Sequence, residues 1–177
     1  MPLVYVTGVA GAGKSTVQNE LARRGFDARD LDSPAISGAY DLGTGLQVAV
    51  PNSESRPDGW FQTHPWRTHP GALQRIRHVA DNDLVFLCGT STSEVENDHA
   101  YDTLICLDID EATLRDRLSA RDGDNDFGKA EHEMQQILEW RKGAAAYYET
   151  LGGHIVDATM PVHQVVDEIV RIAAATS

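Results

Sequence analysis

The chain has 177 residues, 41% of them hydrophobic and 24% charged, which suits one domain, residues 1–177, around one core. Fifteen basic against 27 acidic residues leave a net charge of −12, so the average field repels polyanions and argues against tracking along nucleic acid or adhesion to an anionic membrane. No run approaches the ~18 apolar residues of a membrane span, and the start Met1-Pro2-Leu3 lacks the charged region of a signal peptide, so a cytoplasmic location is expected.

The first predicted element is a strand over Leu3 to Thr7, and it runs straight into Gly8-Val9-Ala10-Gly11-Ala12-Gly13-Lys14-Ser15. This fits G-x-x-x-x-G-K-[ST] at every fixed position. Such a loop wraps an anion with backbone N–H groups, from Gly11, Ala12 and Gly13 on to Lys14, Ser15 and Thr16, and the helix that starts near Ser15 adds the positive end of its dipole. Lys14 can then reach the β- and γ-phosphates while the Ser15 hydroxyl sits on magnesium. Val17 and Leu21 mark the buried face of that helix, which stops at Arg23-Arg24-Gly25. A weaker strand is predicted from Phe26 to Asp32, ending in the acids Asp30 and Asp32.

From about residue 33 to 70 the composition turns to Gly, Pro, Ser and Asp, which reads as a functional insertion with short helices and a strand at Leu46 to Val50. It carries Arg56, Trp60, His64, Trp66, Arg67 and His69. Arginine and tryptophan collected in one loop of an acidic protein suit an anionic or planar acceptor, with Arg67 a candidate contact; the alternative is a satellite core with solvated arginines. His64 and His69 lack the further ligands of a zinc site.

Pro70 opens a helix with Leu73, Ile76 and Ala80 on one face, followed by the all-apolar strand Leu84 to Cys88 and by Gly89-Thr90. Gly89 either lets backbone approach an acceptor or simply ends the strand. Ser93 and Glu96 fit a capping box, Thr103 to Leu107 is a second all-apolar strand, and Asp110 caps a helix carrying Arg117 and Arg121. These two arginines, one turn apart, can close on phosphates or lie on a solvated face. A polar stretch over Asp122 to Lys129 precedes a long helix with Met134, Ile137, Leu138, Arg141, Ala145 and Tyr148 on its face. The last predicted elements are a strand at His154 to Val156 and a helix with Pro161 in its first turn. Cys88 and Cys106 fall inside strands and read as buried free thiols. Alternating strands and helices with right-handed crossovers give an α/β three-layer sandwich on a parallel sheet.

The loop GVAGAGKST, the DLD at 30 to 32, the glycine of VFLCGT, the R-L-x-x-R from Arg117 to Arg121 and the late DATMPV make the chain similar to the small P-loop kinases, the group of nucleoside monophosphate, shikimate and gluconate kinases. The segment from Arg117 through Lys129 also resembles a set of poorly described bacterial P-loop proteins. The resemblance implies five parallel strands in the order 2-3-1-4-5 and ATP across their carboxyl edge, with Arg117, Met160 and Pro161 on the nucleotide. It implies an acceptor pocket and a lid at about 121–130. It also places Asp32 beside magnesium and the acceptor, able to orient or deprotonate a hydroxyl; a turn or cap role is the alternative, and Asp30 could serve in its stead.

Strand three ends in Cys88-Gly89 without the acid that motor-type ATPases place there, and no N-K-x-D element reads guanine. The function expected is therefore an ATP- and magnesium-dependent kinase of a small-molecule acceptor, a nucleoside monophosphate or a hydroxyl compound. The alternative is a nucleotide-binding regulatory ATPase module without a small acceptor. The lid also offers Asp122, Asp124, Asp126, Gly128 and Glu133 at positions 1, 3, 5, 7 and 12 of a calcium loop, but position 6 is Phe127 where the sharp turn needs glycine.

Overall fold

The computed structural model describes residues 2–52, 54–80, 83–92, 100–120 and 127–176. Ser93, Glu96, Arg121 and residues 122–126 of the expected lid lie outside the described residues. Strand β1 (Leu3–Thr7) is buried along its whole length because it is central in a parallel sheet, with β6 (Val85–Cys88) on one side and β7 (Thr103–Asp108) on the other. The edges are β2 (Asp27–Asp30), paired to β6, and β8 (His154–Asp157), paired to β7. The order β2-β6-β1-β7-β8 is 2-3-1-4-5 when the five are counted along the chain, as the resemblance implied.

Side-chain alternation divides the core between the two faces of this sheet. Val4, Val6, Phe86, Ile105 and Leu107 pack with α1 (Lys14–Arg23), α4 (Glu111–Ser119), α5 (Glu131–Thr150) and α6 (Val162–Ala175). Leu3, Tyr5, Val85 and Leu87 pack instead with Leu73, Ile76 and Ala80 of α3 (Ala72–Ala80). At the edge, β2 is shorter than the predicted Phe26 to Asp32. Asp30 Oδ1 accepts from the Asp32 backbone N–H at 2.9 Å and turns the chain out of the sheet. Asp110 caps α4 as expected, accepting from Thr113 N–H at 2.9 Å. Pro161 is the cap of α6 rather than part of its first turn, and its carbonyl accepts from the N–H groups of Gln164 and Val165.

Between β2 and α3 the chain builds a second, antiparallel sheet in the order β4-β3-β5, from β3 (Ser37–Tyr40), β4 (Gln47–Val48) and β5 (Trp66–Thr68). The strand predicted at Leu46 to Val50 is thus two residues long, and one short helix, α2 (Trp60–Thr63), precedes β5. This sheet stands beyond the carboxyl end of β2. It is joined to the ends of the parallel strands by the Thr92 N–H, which donates to Trp66 O at 2.9 Å, and by the Thr68 N–H, which donates to Ser91 Oγ at 3.2 Å. Among the described residues, no helix is long and apolar enough to cross a membrane.

Candidate active site

Because all five strands of the main sheet run parallel, the residues that follow each one gather along one edge. A cleft of about 1530 Å³ opens there, floored by residues 8–17 and walled by Asp32, by residues 90–92 and by the insertion. At Gly8 the backbone has φ 146° and passes so close to β7 that a Cβ would stand 2.7 Å from Leu107 O. Gly13 caps α1 at φ 106°, with no side chain bonded to the helix end and no acid in the first turn. The first turn of α1 thus carries no carboxylate of its own to compete for its N–H groups, which suits an anionic guest. Lys14 folds over the loop, its Nζ donating to Gly8 O at 2.8 Å and Val9 O at 3.0 Å. Gly11 and Ala12 line the cleft beneath it, while Ser15 and Thr16 are exposed on the same wall.

Asp32 enters the cleft from just beyond β2 and is partly buried; its Oδ1 accepts from the Thr90 N–H at 3.1 Å. Burial pushes its carboxyl pKa above the ordinary aspartate value. The positive charge of Lys14 and the Thr90 N–H oppose that rise, Asp30 adds to it, and the buried Trp66 indole N–H, outside hydrogen-bonding geometry, opposes it weakly. The neighbouring Cys88 thiol is pushed up to about 12 by burial and by Asp30, so it stays protonated and is no nucleophile.

Gly89 is buried behind Asp32 and is not on the cleft wall. A Cβ there would meet Leu31 Cβ at 2.5 Å, the Asp32 backbone nitrogen at 3.1 Å and Oδ1 at 3.2 Å. Glycine at 89 is what allows Asp32 its place. Gly89→Ala is expected to lose about 1–3 kcal/mol of stability and to displace Asp32. Turnover should then fall more than nucleotide affinity, as thermal unfolding and titration with ADP would read.

Arg117 reaches the far side of the loop, donating from Nη1 to Ala12 O at 3.0 Å and from Nη2 to Ala158 O at 2.8 Å. It thereby ties the phosphate loop to the turn after β8, where Met160 lines the cleft while Pro161 does not. Arg141 donates to Ile109 O at 2.7 Å and is not on the cleft wall. Arg67 likewise lies off the wall, because strand alternation turns its neighbour Trp66 to the cleft instead.

Two features of the site were not visible in the sequence. The first is α5, whose Trp140, Gly143, Ala144 and Tyr147 face the cleft at helical spacing beside the predicted core stripe. An aromatic pair lying off the core face is the signal that could have found it. The second is a buried ion pair between Arg56 of the insertion and Glu133 of α5. Glu133 also accepts from the Gly128 N–H at 2.8 Å, and the Arg56 guanidinium lies over the rings of Phe61 and Phe127, 5.2 and 5.9 Å from their centroids. The calcium-loop reading placed Glu133 at the bidentate position, but both its oxygens are already engaged.

A comparison with curated protein sequences finds no match. Among solved structures, the chain is similar to a shikimate kinase from Acinetobacter baumannii in complex with shikimate, with a TM-score of 0.62 and 17% identity over 100% of this chain and 95% of that one. It is also similar to a deoxyadenosine kinase from M. mycoides with bound dATP (TM-score 0.52, 14% identity, 96% and 97% of the two chains). A gluconokinase from Sinorhizobium meliloti gives a TM-score of 0.51 at 17% identity, over 98% and 92%. At such identities the likeness establishes the fold, that of the small P-loop kinases. The sequence profile described as AAA domain matches residues 4–138, well over half of the chain, and the chain belongs to that family.

Proposed function

We propose that the chain is an ATP- and magnesium-dependent kinase that moves the γ-phosphoryl group to a hydroxyl of a small-molecule acceptor. The observation that carries this reading is that one cleft holds both the phosphate loop with Lys14 and, close enough to feel its charge, the partly buried carboxylate of Asp32. Phosphoryl transfer needs alignment and charge neutralisation more than covalent chemistry. The loop N–H groups and Lys14 supply these at the phosphates. Asp32 orients the acceptor hydroxyl and takes its proton as that oxygen bonds to the γ-phosphorus and the bond to the β-bridging oxygen breaks, releasing ADP.

The exposed Ser15 hydroxyl and the Asp32 carboxylate are the oxygens that would hold magnesium. Two protein oxygens suit an ion that keeps waters and takes its other ligands from substrate phosphates. When bound, it neutralises phosphate charge. Arg117 braces the loop against the β8 turn, and the rings along the insertion and α5 keep water, the competing acceptor, from the reacting phosphate. ADP formation from magnesium-ATP tests this reading: Lys14→Ala is expected to be about 10²–10³-fold slower than the unaltered chain. Equal rates would remove Lys14, and the site with it, from the chemistry.

A further inference from the structure

Resting on the kinase reading, we infer that the acceptor is an uncharged hydroxyl compound built on a flat ring, of the chemical type of a nucleoside, and not an organic acid or a phosphate ester. The first observation is the fate of positive charge on the cleft wall. Among the described residues, the cationic side chains there are Lys14, Arg56 and Arg117. Lys14 sits on the phosphate loop and Arg117 is bonded to the carbonyls of Ala12 and Ala158 beside it, so both belong to the nucleotide end. Arg56 is on the acceptor side, but its charge is matched by Glu133, and its Nε and Nη2 donate to Pro51 O. Arg67 is turned off the wall. An anionic acceptor would enter a protein of net charge −12 and meet no uncommitted counter-charge among these groups.

The second observation is the wall itself. Phe61, Phe127 and Trp140 form a continuous aromatic series, with centroids 5.1 Å apart for the first pair and 6.4 Å for the second. Trp140 and Tyr147 are 49% and 45% exposed although they line a cleft, and a Cβ added at Gly143 between them would meet nothing within 4 Å. Exposed rings flanking a hollow favour a planar apolar guest. The exposed carboxamide of Gln62 on the same wall offers a donor and an acceptor to the edge of such a ring.

The test is calorimetric titration of the protein loaded with magnesium-ADP, so that the nucleotide end is filled, using thymidine and cytidine against their 5′-monophosphates and against shikimate. At least one nucleoside is expected to bind, at least tenfold tighter than its own monophosphate and than shikimate. Trp140→Ala is expected to weaken nucleoside binding about tenfold or more, with Trp140→Phe within about threefold of the unaltered chain. A monophosphate or shikimate binding as tightly as the nucleosides would overturn the inference, and so would failure of both nucleosides to bind. Label transfer from ATP separates this from the kinase reading. Phosphorylation of an anionic acceptor would sink the inference and leave the kinase standing, whereas nucleoside binding without any transfer would do the reverse.

Discussion

Replacing Glu133 by glutamine is expected to lower the thermal midpoint of the insertion and α5 by roughly 6–20 °C. Both members of the Arg56–Glu133 pair have side chains only 3% exposed. Glutamine keeps the shape of Glu133 and an oxygen for the Gly128 N–H but removes the charge, leaving the guanidinium buried against Phe61 and Phe127 without its counter-ion. Breaking such a pair from one side costs about 3–5 kcal/mol. In a chain of this size each kcal/mol is worth roughly 2–4 °C. By contrast, replacing a partner of the exposed pairs Arg115–Glu111 and Lys142–Glu139 should leave the midpoint nearly unchanged, because solvent screens both.

All three tryptophans, Trp60, Trp66 and Trp140, belong to the insertion or to α5, so tryptophan emission during heating follows this corner while far-ultraviolet circular dichroism follows the helices. Arg56→Met combined with Glu133→Gln removes the stranded charge and should recover most of the loss. A single replacement with an unchanged emission midpoint would mean that the pair does not hold the insertion to α5.

Asp32→Asn is expected to slow acceptor-dependent turnover by about 10²–10⁴-fold, the usual contribution of a positioned base. Asparagine still accepts from the Thr90 N–H but cannot take a proton, so nucleotide affinity should change far less than the rate. The sign of the pH dependence follows from the raised carboxyl pKa of Asp32, caused chiefly by burial and opposed by Lys14. Asp32 acts when ionised, so activity should fall on acidification, and that limb should vanish in the asparagine variant. Stability runs the other way. A carboxyl that binds its proton more readily folded than unfolded destabilises the fold above its folded pKa, and this penalty is relieved as pH falls through that value. At neutral pH and without magnesium, the asparagine variant should therefore melt higher than the unaltered chain, while being nearly inactive with magnesium-ATP. A variant with a normal pH profile and rate would assign the base to another group.

The phosphate loop was legible because its glycines answer local requirements, and the backbone at Gly8 and Gly13 meets them. The core was legible because burial on both faces makes β1, β6 and β7 continuous apolar runs. Asp32 and Arg117 reach the cleft from the positions their motifs suggested. Gly89 does not line it, because its missing Cβ makes room for Leu31 and Asp32. Nor was the Arg56–Glu133 pair readable, since its partners are 77 residues apart and Glu133 also fitted a calcium template. The aromatic face of α5 was hidden for a related reason: periodicity identifies the face that meets the core, and Trp140 and Tyr147 look onto open space. The insertion composes its own small sheet from strands as short as two residues, too short for alternation to register.

The most direct test of the account is to follow the terminal phosphoryl label of magnesium-ATP in the presence of a panel of nucleosides, nucleoside monophosphates and hydroxy acids. Label on the hydroxyl of one acceptor class, at a rate well above its release as inorganic phosphate and slowed about 10²–10³-fold by Lys14→Ala, is the expected result. Label released only as inorganic phosphate, at a rate that no acceptor changes while ATP still binds, would contradict the kinase reading and make the chain a nucleotide-binding module whose output is conformational.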